Sequence, residues 1–248
     1  MTNFEKIIAD IDRWIANEQE KNSYSDVCKR CGGTGWYLVK NTNPPYPTVD
    51  KEKCSCYDII ANGQALTGSG INESYTFDNF NTHKPFQKNL VTIAKRFVSS
   101  PTYWFFVGGQ IGSGKTRICK TIVRELINKG MSVVTMNWQD DSTDIKTLSM
   151  TPEYRHELDR LKTAKVLYID DFLKSGNVDQ ISKADKELAY KIIDYRYNRP
   201  ELITIFSSEH YFDELLGIDE SLSRIEERCT KEFIVNIKKG GENNFRLQ

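Results

Sequence analysis

The chain has 248 residues, of which 39% are hydrophobic and 27% are charged, and its 34 basic residues balance its 34 acidic ones. This length accommodates one full domain and a smaller one, and the composition is that of a soluble globular protein. A net charge of zero argues against a globally basic nucleic-acid binder, so any DNA contact is expected to be local.

The N-terminus, "MTNFEKIIADIDRW", carries acids where a signal peptide would be basic and then uniformly apolar. No apolar run in the sequence approaches the ~18 residues that a membrane-spanning helix needs. We therefore expect a cytoplasmic protein. Thiols are kept reduced in that compartment, so the six cysteines are interpreted as metal ligands or small buried residues and not as disulfides.

The first segment is predicted to be an amphipathic helix. Its apolar side chains recur at helical spacing, at Phe4, Ile7, Ile8, Ile11, Trp14 and Ile15. Two interpretations stay open for this stripe. It packs against its own small domain, or it binds a partner protein.

Four cysteines follow in two close pairs, Cys28 with Cys31 and Cys54 with Cys56. Four thiolates in two pairs suit a closed tetrahedral Zn²⁺ site, which would stabilise a module too small to form much core. The single residue between Cys54 and Cys56 is a tighter gap than the usual two, and four thiols without a metal are the alternative. Cys119 and Cys229 stand alone and are interpreted as packing residues.

Residues 62–74, "NGQALTGSGINES", are rich in Gly, Ser and Asn and are predicted to form a linker. The predicted organisation is a zinc-binding N-terminal module at 1–61, this linker, and a larger domain at 75–248.

The larger domain alternates strand and helix signals. Strands are predicted at "YWFFVGG", "MSVVTMNW", "AKVLYIDDF" and "LITIFSS", and helices at 115–129 and 182–198, the latter with Ser182 and Asp185 forming a capping box. Such alternation predicts an α/β fold in which helices flank a parallel sheet and ligands bind at the carboxyl ends of the strands.

The segment "GQIGSGKT" matches the P-loop pattern between a strand and a helix. Its glycines let backbone amides surround a polyphosphate, and the helix N-terminus adds partial positive charge. The predicted nucleotide-binding residues are Gly109, Gln110, Ile111, Gly112, Ser113, Gly114, Lys115, Thr116 and Arg117. Lys115 is expected to reach the terminal phosphates and Thr116 to bind Mg²⁺.

A second strand, "KVLYIDD", ends in two acids. We predict that Asp170 binds Mg²⁺ together with Thr116 and that Asp171 polarises the attacking water, following the positioning logic of phosphoryl transfer. The predicted cofactors are ATP or ADP, Mg²⁺ and Zn²⁺.

These motifs together resemble the AAA+ ATPases of the DnaC/DnaI-type replicative helicase loaders, including those encoded by bacteriophages. The resemblance covers nearly the whole chain and rests on "CKRCGGTGW…CSC", "YTFDNF", "GQIGSGKT", "VLYIDDFLK", "IIDYRYNRPELITIFSSE", "IDESLSRIEE" and "NNFRL". It implies an ATP-dependent, slowly hydrolysing loader in DNA replication, as part of a primosome. It also implies a bacterial cytoplasm, or a host cytoplasm for a phage protein.

The resemblance further implies three roles. Ser208 stands where loaders carry a polar γ-phosphate sensor, Arg224 matches an arginine finger that acts on a neighbouring subunit's ATP, and Arg246 matches a second sensor arginine. Arg196 is left outside the site as a residue that braces the fold.

The expected partners are a hexameric replicative helicase, single-stranded DNA and further copies of the chain, with no membrane. An IstB-type transposition helper acting on duplex DNA is the alternative, and the zinc-bearing front end favours the loader. A stand-alone small-molecule kinase is a third possibility, but it would have no use for an inter-subunit finger.

Overall fold

In the computed structural model, residues 3–21, 30–31, 36–41, 47–54, 71, 74–219 and 222–244 are described. The chain divides into two compact units, residues 1–67 and 68–248, and the division falls inside the predicted linker. In the described part of the chain, no helix is long and apolar enough to cross a membrane.

The N-terminal unit contains helix α1 (Asn3–Lys21) and an antiparallel hairpin of β1 (Trp36–Asn41) and β2 (Thr48–Lys53). The predicted N-terminal helix is confirmed. Its apolar stripe is divided between two environments, because Ile8, Ile11 and Ile15 are half-buried while Ile7 and Trp14 are exposed.

A small cluster within this unit brings together two of the four predicted zinc ligands. Cys31 and Cys54 are both buried, and Tyr37 packs against them. Cys28 and Cys56 lie outside the described residues. Among the residues that are described, no group of three potential metal ligands occurs, so the structure does not show the zinc site.

The second unit is built on a five-stranded, fully parallel sheet. Its strands are β3 (Phe105–Gly109), β4 (Val133–Asn137), β5 (Val166–Asp170), β6 (Ile203–Ser207) and β7 (Ile234–Ile237), in the spatial order β4-β5-β6-β3-β7. The predicted α/β class is confirmed, and the four predicted strands are present with slightly shorter bounds. β7 was not predicted.

Helices connect and cover the strands. They are α2 (Pro85–Ser99), α3 (Lys115–Asn128), α4 (Trp138–Thr147), α5 (Pro152–Thr163), α6 (Lys183–Tyr197), α7 (Phe212–Leu216) and α8 (Ser223–Cys229). The predicted cap of α6 is present, because the Ser182 hydroxyl accepts a hydrogen bond from the Asp185 amide at 3.1 Å.

The register of the sheet decides which residues meet at its carboxyl edge. Ile169 of β5 pairs with Phe206 of β6, and Val107 of β3 pairs with Ser207 of β6. Because β6 lies between the other two strands, its end stands between the P-loop that follows β3 and the acids that end β5.

A continuous row of aromatic rings lies under this edge. Neighbouring ring centroids are 4.9 to 6.3 Å apart along the series Trp138, Phe172, Phe206, Phe106 and Phe212. Each such contact contributes about 1 kcal/mol beyond its area burial. Since Phe172 directly follows the acidic pair and Phe206 directly precedes Ser207, this packing fixes the polar residues of the edge.

Arg196 is fully buried and holds three elements together. Its guanidinium donates to the Thr204 hydroxyl and to the carbonyls of Leu161, Lys162, Ala164 and Ile203 at 2.6 to 3.0 Å. Burial and then the charge of Arg228 lower the pKa of Arg196 to about 9, so the group is still charged at neutral pH. The sequence interpretation of Arg196 as a brace agrees with these contacts.

Candidate nucleotide-binding site

The loop between β3 and α3 has the backbone that a phosphate-binding loop requires. Gly109, Gly112 and Gly114 all have positive φ angles, which residues with side chains rarely adopt. A Cβ on Gly109 would come within 2.1 Å of the Ile237 carbonyl oxygen of β7. The loop therefore needs glycine for its curvature and for its close approach to β7.

Lys115 begins α3, and its ammonium group lies inside this loop. Its Nζ donates to the carbonyls of Gly109 at 2.9 Å and Gln110 at 2.7 Å. Burial lowers the pKa of Lys115, while the carboxylates of Glu209 and Asp171 oppose that shift. The loop thus holds a buried cation at the N-terminus of a helix, an arrangement that attracts phosphate.

Asp170 and Thr116 come into direct contact. The Thr116 hydroxyl donates to Asp170 Oδ1 at 3.0 Å, although the two residues are 54 positions apart. A hydroxyl and a carboxylate so close can share one hard cation, so these residues fit the predicted Mg²⁺. The Ser207 hydroxyl also donates to Asp170 Oδ1, and it accepts from the Asp171 amide at 3.1 Å.

The residues after β5 form an ion-pair network. Lys174 Nζ lies 2.8 Å from Asp171 Oδ2 and 3.3 Å from Glu209 Oε1. The hydrogen bond to Asp171 raises the pKa of Lys174. In this structure the carboxylate predicted to polarise water is therefore paired with a lysine.

These groups surround an open cleft of about 480 Å³. Its walls come from the P-loop and the start of α3, from the turn after β5, and from the segments before α2 and after β6. The lining residues are Tyr75, Ile111, Gly112, Gly114, Lys115, Thr116, Arg117, Asp171, Lys174 and Glu209. Arg117 donates to the Asn79 carbonyl at 2.7 Å, which ties the cleft to the segment before α2. The cleft has space and positive charge for a polyphosphate.

Ser208, the predicted sensor, is not among the residues that line this cleft. It is fully buried, donates to the Phe172 carbonyl at 2.9 Å and accepts from the His210 amide at 3.2 Å. Adjacent residues of an extended chain point to opposite sides, so only Ser207 points towards the acids. Ser207 is thus the serine that contacts Asp170, and the sensor role of Ser208 stays a prediction.

The two predicted arginines have different outcomes. Arg224 is on α8, where its guanidinium pairs with Asp194 at 3.2 Å and lies over the rings of Tyr190 and Tyr197. It does not line its own cleft, so its finger role stays a prediction. Arg246 lies outside the described residues.

Sequence reasoning missed Glu209 and Lys174 as residues of the cleft. Lys174 stands at the end of "IDDFLK" and Glu209 at the end of "IFSSE", both within quoted motifs. Their position directly after β5 and β6, at the ligand-binding edge of the sheet, was a signal that could have identified them.

A parallel sheet with a P-loop at the N-terminus of a helix and an acidic pair at the end of a neighbouring strand is the architecture of the P-loop α/β fold. No family model matches the chain. It is 30% identical over 237 residues to the phage-like element PBSX protein XkdC of Bacillus subtilis, and the match covers 89% of this chain and 86% of XkdC. The chain therefore belongs to the XkdC family.

Two solved structures illustrate the fold. The DnaC helicase loader is 19% identical, with a TM-score of 0.56, over 67% of this chain and 98% of that one. The replication initiator DnaA bound to AMPPCP and single-stranded DNA is 20% identical, with a TM-score of 0.54, over 67% of this chain and 50% of DnaA. These similarities confirm the AAA+ fold that the motifs predicted.

Proposed function

We propose that the protein is a nucleotide-switched loader that places a hexameric replicative helicase on single-stranded DNA. The observation that carries this proposal is the cleft, which is lined by Lys115 and by Thr116 in contact with Asp170. It lies in a domain with the fold of the DnaC helicase loader. The DnaA structure, which holds AMPPCP and single-stranded DNA, supports the same choice of ligands. The proposed work takes place in the bacterial cytoplasm.

In this proposal the cleft binds MgATP. The P-loop amides and Lys115 hold the phosphates, while Thr116 and Asp170 bind the metal, which supplies charge neutralisation at the transferred phosphoryl group. Ser207 positions both acids, because its hydroxyl donates to the Asp170 carboxylate and accepts from the Asp171 amide. Asp171 orients the attacking water once its carboxylate is available.

Hydrolysis is proposed to be slow and dependent on assembly. Asp171 is paired with Lys174, and this pairing supports a low rate in the isolated subunit. Arg224 lies outside its own cleft and is half-exposed, a position that supports action on ATP bound by a neighbouring copy. An always-charged guanidinium suits that role because it can donate several hydrogen bonds to phosphate oxygens.

The N-terminal unit is proposed to bind the helicase. Ile7 and Trp14 are two turns apart on one face of α1, and both are exposed. Cys31 and Cys54 share a buried cluster, which supports a structural Zn²⁺ completed by Cys28 and Cys56. Metal analysis of the purified protein tests the zinc part, because one equivalent of zinc is expected and its absence would remove that part alone.

The test of loading is size-exclusion chromatography with a hexameric bacterial replicative helicase, with and without MgATP. We expect co-elution that depends on nucleotide state and that disappears in the Ile7→Ser/Trp14→Ser variant. Arg13→Ser, an exposed change on the same helix, is the matched control and should co-elute normally. Binding to duplex DNA without any helicase complex would instead favour the transposition helper.

A further inference from the structure

The turn after β5 has an unusual backbone that directs Lys174 to the cleft. Asp171 and Leu173 both have φ angles in the left-handed region, at 54° and 53°. The Lys174 amide donates to the Asp171 carbonyl at 3.0 Å and closes the turn. Strained backbone of this kind concentrates at functional sites, so the direction of this side chain calls for a functional reason.

The lysine lies between two acids of the cleft wall. Its Nζ contacts Asp171 and Glu209 at 2.8 and 3.3 Å, and about a third or less of each of the three side chains is exposed. Exposed or partly exposed ion pairs contribute little to folding stability. A purely structural role therefore explains neither the strained turn nor the placement of these charges beside Lys115 in one cleft.

We propose that Lys174 distinguishes nucleoside triphosphates from diphosphates in this cleft. In the nucleotide-free state it neutralises Asp171 and Glu209, and on triphosphate binding its ammonium group turns to the terminal phosphate. This inference rests on the proposed function and names the residue that reads the nucleotide state.

The chemistry of lysine suits such an exchange. Its ammonium group has three donors on a flexible four-carbon stem, so it can leave one anion and bind another without movement of the backbone. The hydrogen bond that Lys174 donates to Asp171 raises the pKa of Lys174, so the group is charged at neutral pH. When the ammonium turns to phosphate, the Asp171 carboxylate is released beside the metal-binding Asp170. The same movement thereby reports the triphosphate and prepares the water-orienting acid.

The test is isothermal titration of the full chain with Mg-AMPPCP and with Mg-ADP, comparing wild type with Lys174→Met and Lys174→Gln. A charge-assisted hydrogen bond to the terminal phosphate predicts about tenfold weaker AMPPCP binding in both variants. ADP binding should change by less than about twofold, because ADP lacks that phosphate. Lys183→Met removes an exposed lysine that is paired with Glu187 on α6, and it should bind both nucleotides like wild type.

Equal weakening of AMPPCP and ADP would overturn the inference, since Lys174 would then act only as general positive charge. Unchanged binding of both would also overturn it. The two proposals fail in different ways. If the wild type binds neither nucleotide, the proposed function fails, whereas if the wild type binds both and Lys174→Met does not separate them, only the inference about Lys174 fails.

Discussion

Replacing Arg196 by methionine should remove a large part of the folding stability of the second unit. Methionine keeps an unbranched apolar side chain in the same space but has no donors. The variant would leave four backbone carbonyls and the Thr204 hydroxyl without the partner that they have in the wild type. Two of those carbonyls, from Leu161 and Lys162, lie at the C-terminal end of α5, where helix carbonyls have no partner in the helix.

The size of the loss follows from these contacts. An unsatisfied buried carbonyl costs about 2 kcal/mol, so the buried carbonyls of Leu161 and Ile203 predict a loss of about 4 kcal/mol. The partly buried carbonyls of Lys162 and Ala164 add less. A typical domain has about 5 to 15 kcal/mol in total, so the variant should approach the limit of folding at room temperature. The measurement is urea unfolding followed by far-ultraviolet circular dichroism, with the free energy taken by linear extrapolation.

Arg199→Met is the matched control. Arg199 lies over the Tyr195 ring and donates to the Tyr195 carbonyl, and it is only partly buried, so its replacement should cost about 1 kcal/mol or less. A loss below about 1 kcal/mol for Arg196→Met would refute the reasoning, because the carbonyls would then have found other partners at no cost.

Two further predictions concern the strand end at β6. Ser207→Ala should lower the ATP hydrolysis rate by about tenfold or more with little loss of stability, because Ser207 contacts Asp170. Ser208→Ala should instead destabilise the fold by about 1 to 2 kcal/mol and keep turnover per folded molecule. The reverse pattern in steady-state assays and urea melts would support Ser208 as the sensor. Burial lowers the pKa of His210 although Glu214 opposes the shift, so the unfolded chain binds a proton more readily, and stability should fall as pH drops from about 7.5 to 5.5. That fall should be smaller in His210→Gln, and equal slopes would show that His210 does not contribute.

The P-loop and the acids were predictable because their signals are local. The loop geometry is predicted by eight consecutive residues between a strand and a helix. They contain three glycines and end in Lys115 and Thr116. Asp170 and Asp171 likewise close an apolar strand whose bounds are visible in the sequence. The position of each of these groups in the fold therefore follows from the bounds of one strand.

The choice between Ser207 and Ser208 was not predictable, because it depends on the register of one buried strand. Every residue of β6 is buried, so no alternation of apolar and polar residues shows which side each faces. A shift of one residue moves every side chain to the opposite face. The sequence alone therefore does not show which of the two serines contacts Asp170.

Lys174 and Glu209 were missed for a different reason. Their contact joins two strand ends that lie 35 positions apart in the sequence, and only the order of strands in the sheet brings them together. Both are also charged residues of a kind common on surfaces. The turn at Asp171 and Leu173 has left-handed backbone angles and directs Lys174 into the cleft. It contains no glycine, so no residue in the sequence indicates that turn.

The central claim is that the P-loop cleft binds magnesium nucleotide and that Lys115 is required for it. Isothermal titration of the purified protein with Mg-ATP and Mg-ADP tests this most directly. We predict measurable binding by the wild type and a loss of affinity of about a hundredfold or more in Lys115→Ala, which removes the buried ammonium group from the loop. A folded wild type that takes up neither nucleotide, or a Lys115→Ala variant that binds as tightly as the wild type, would contradict the account.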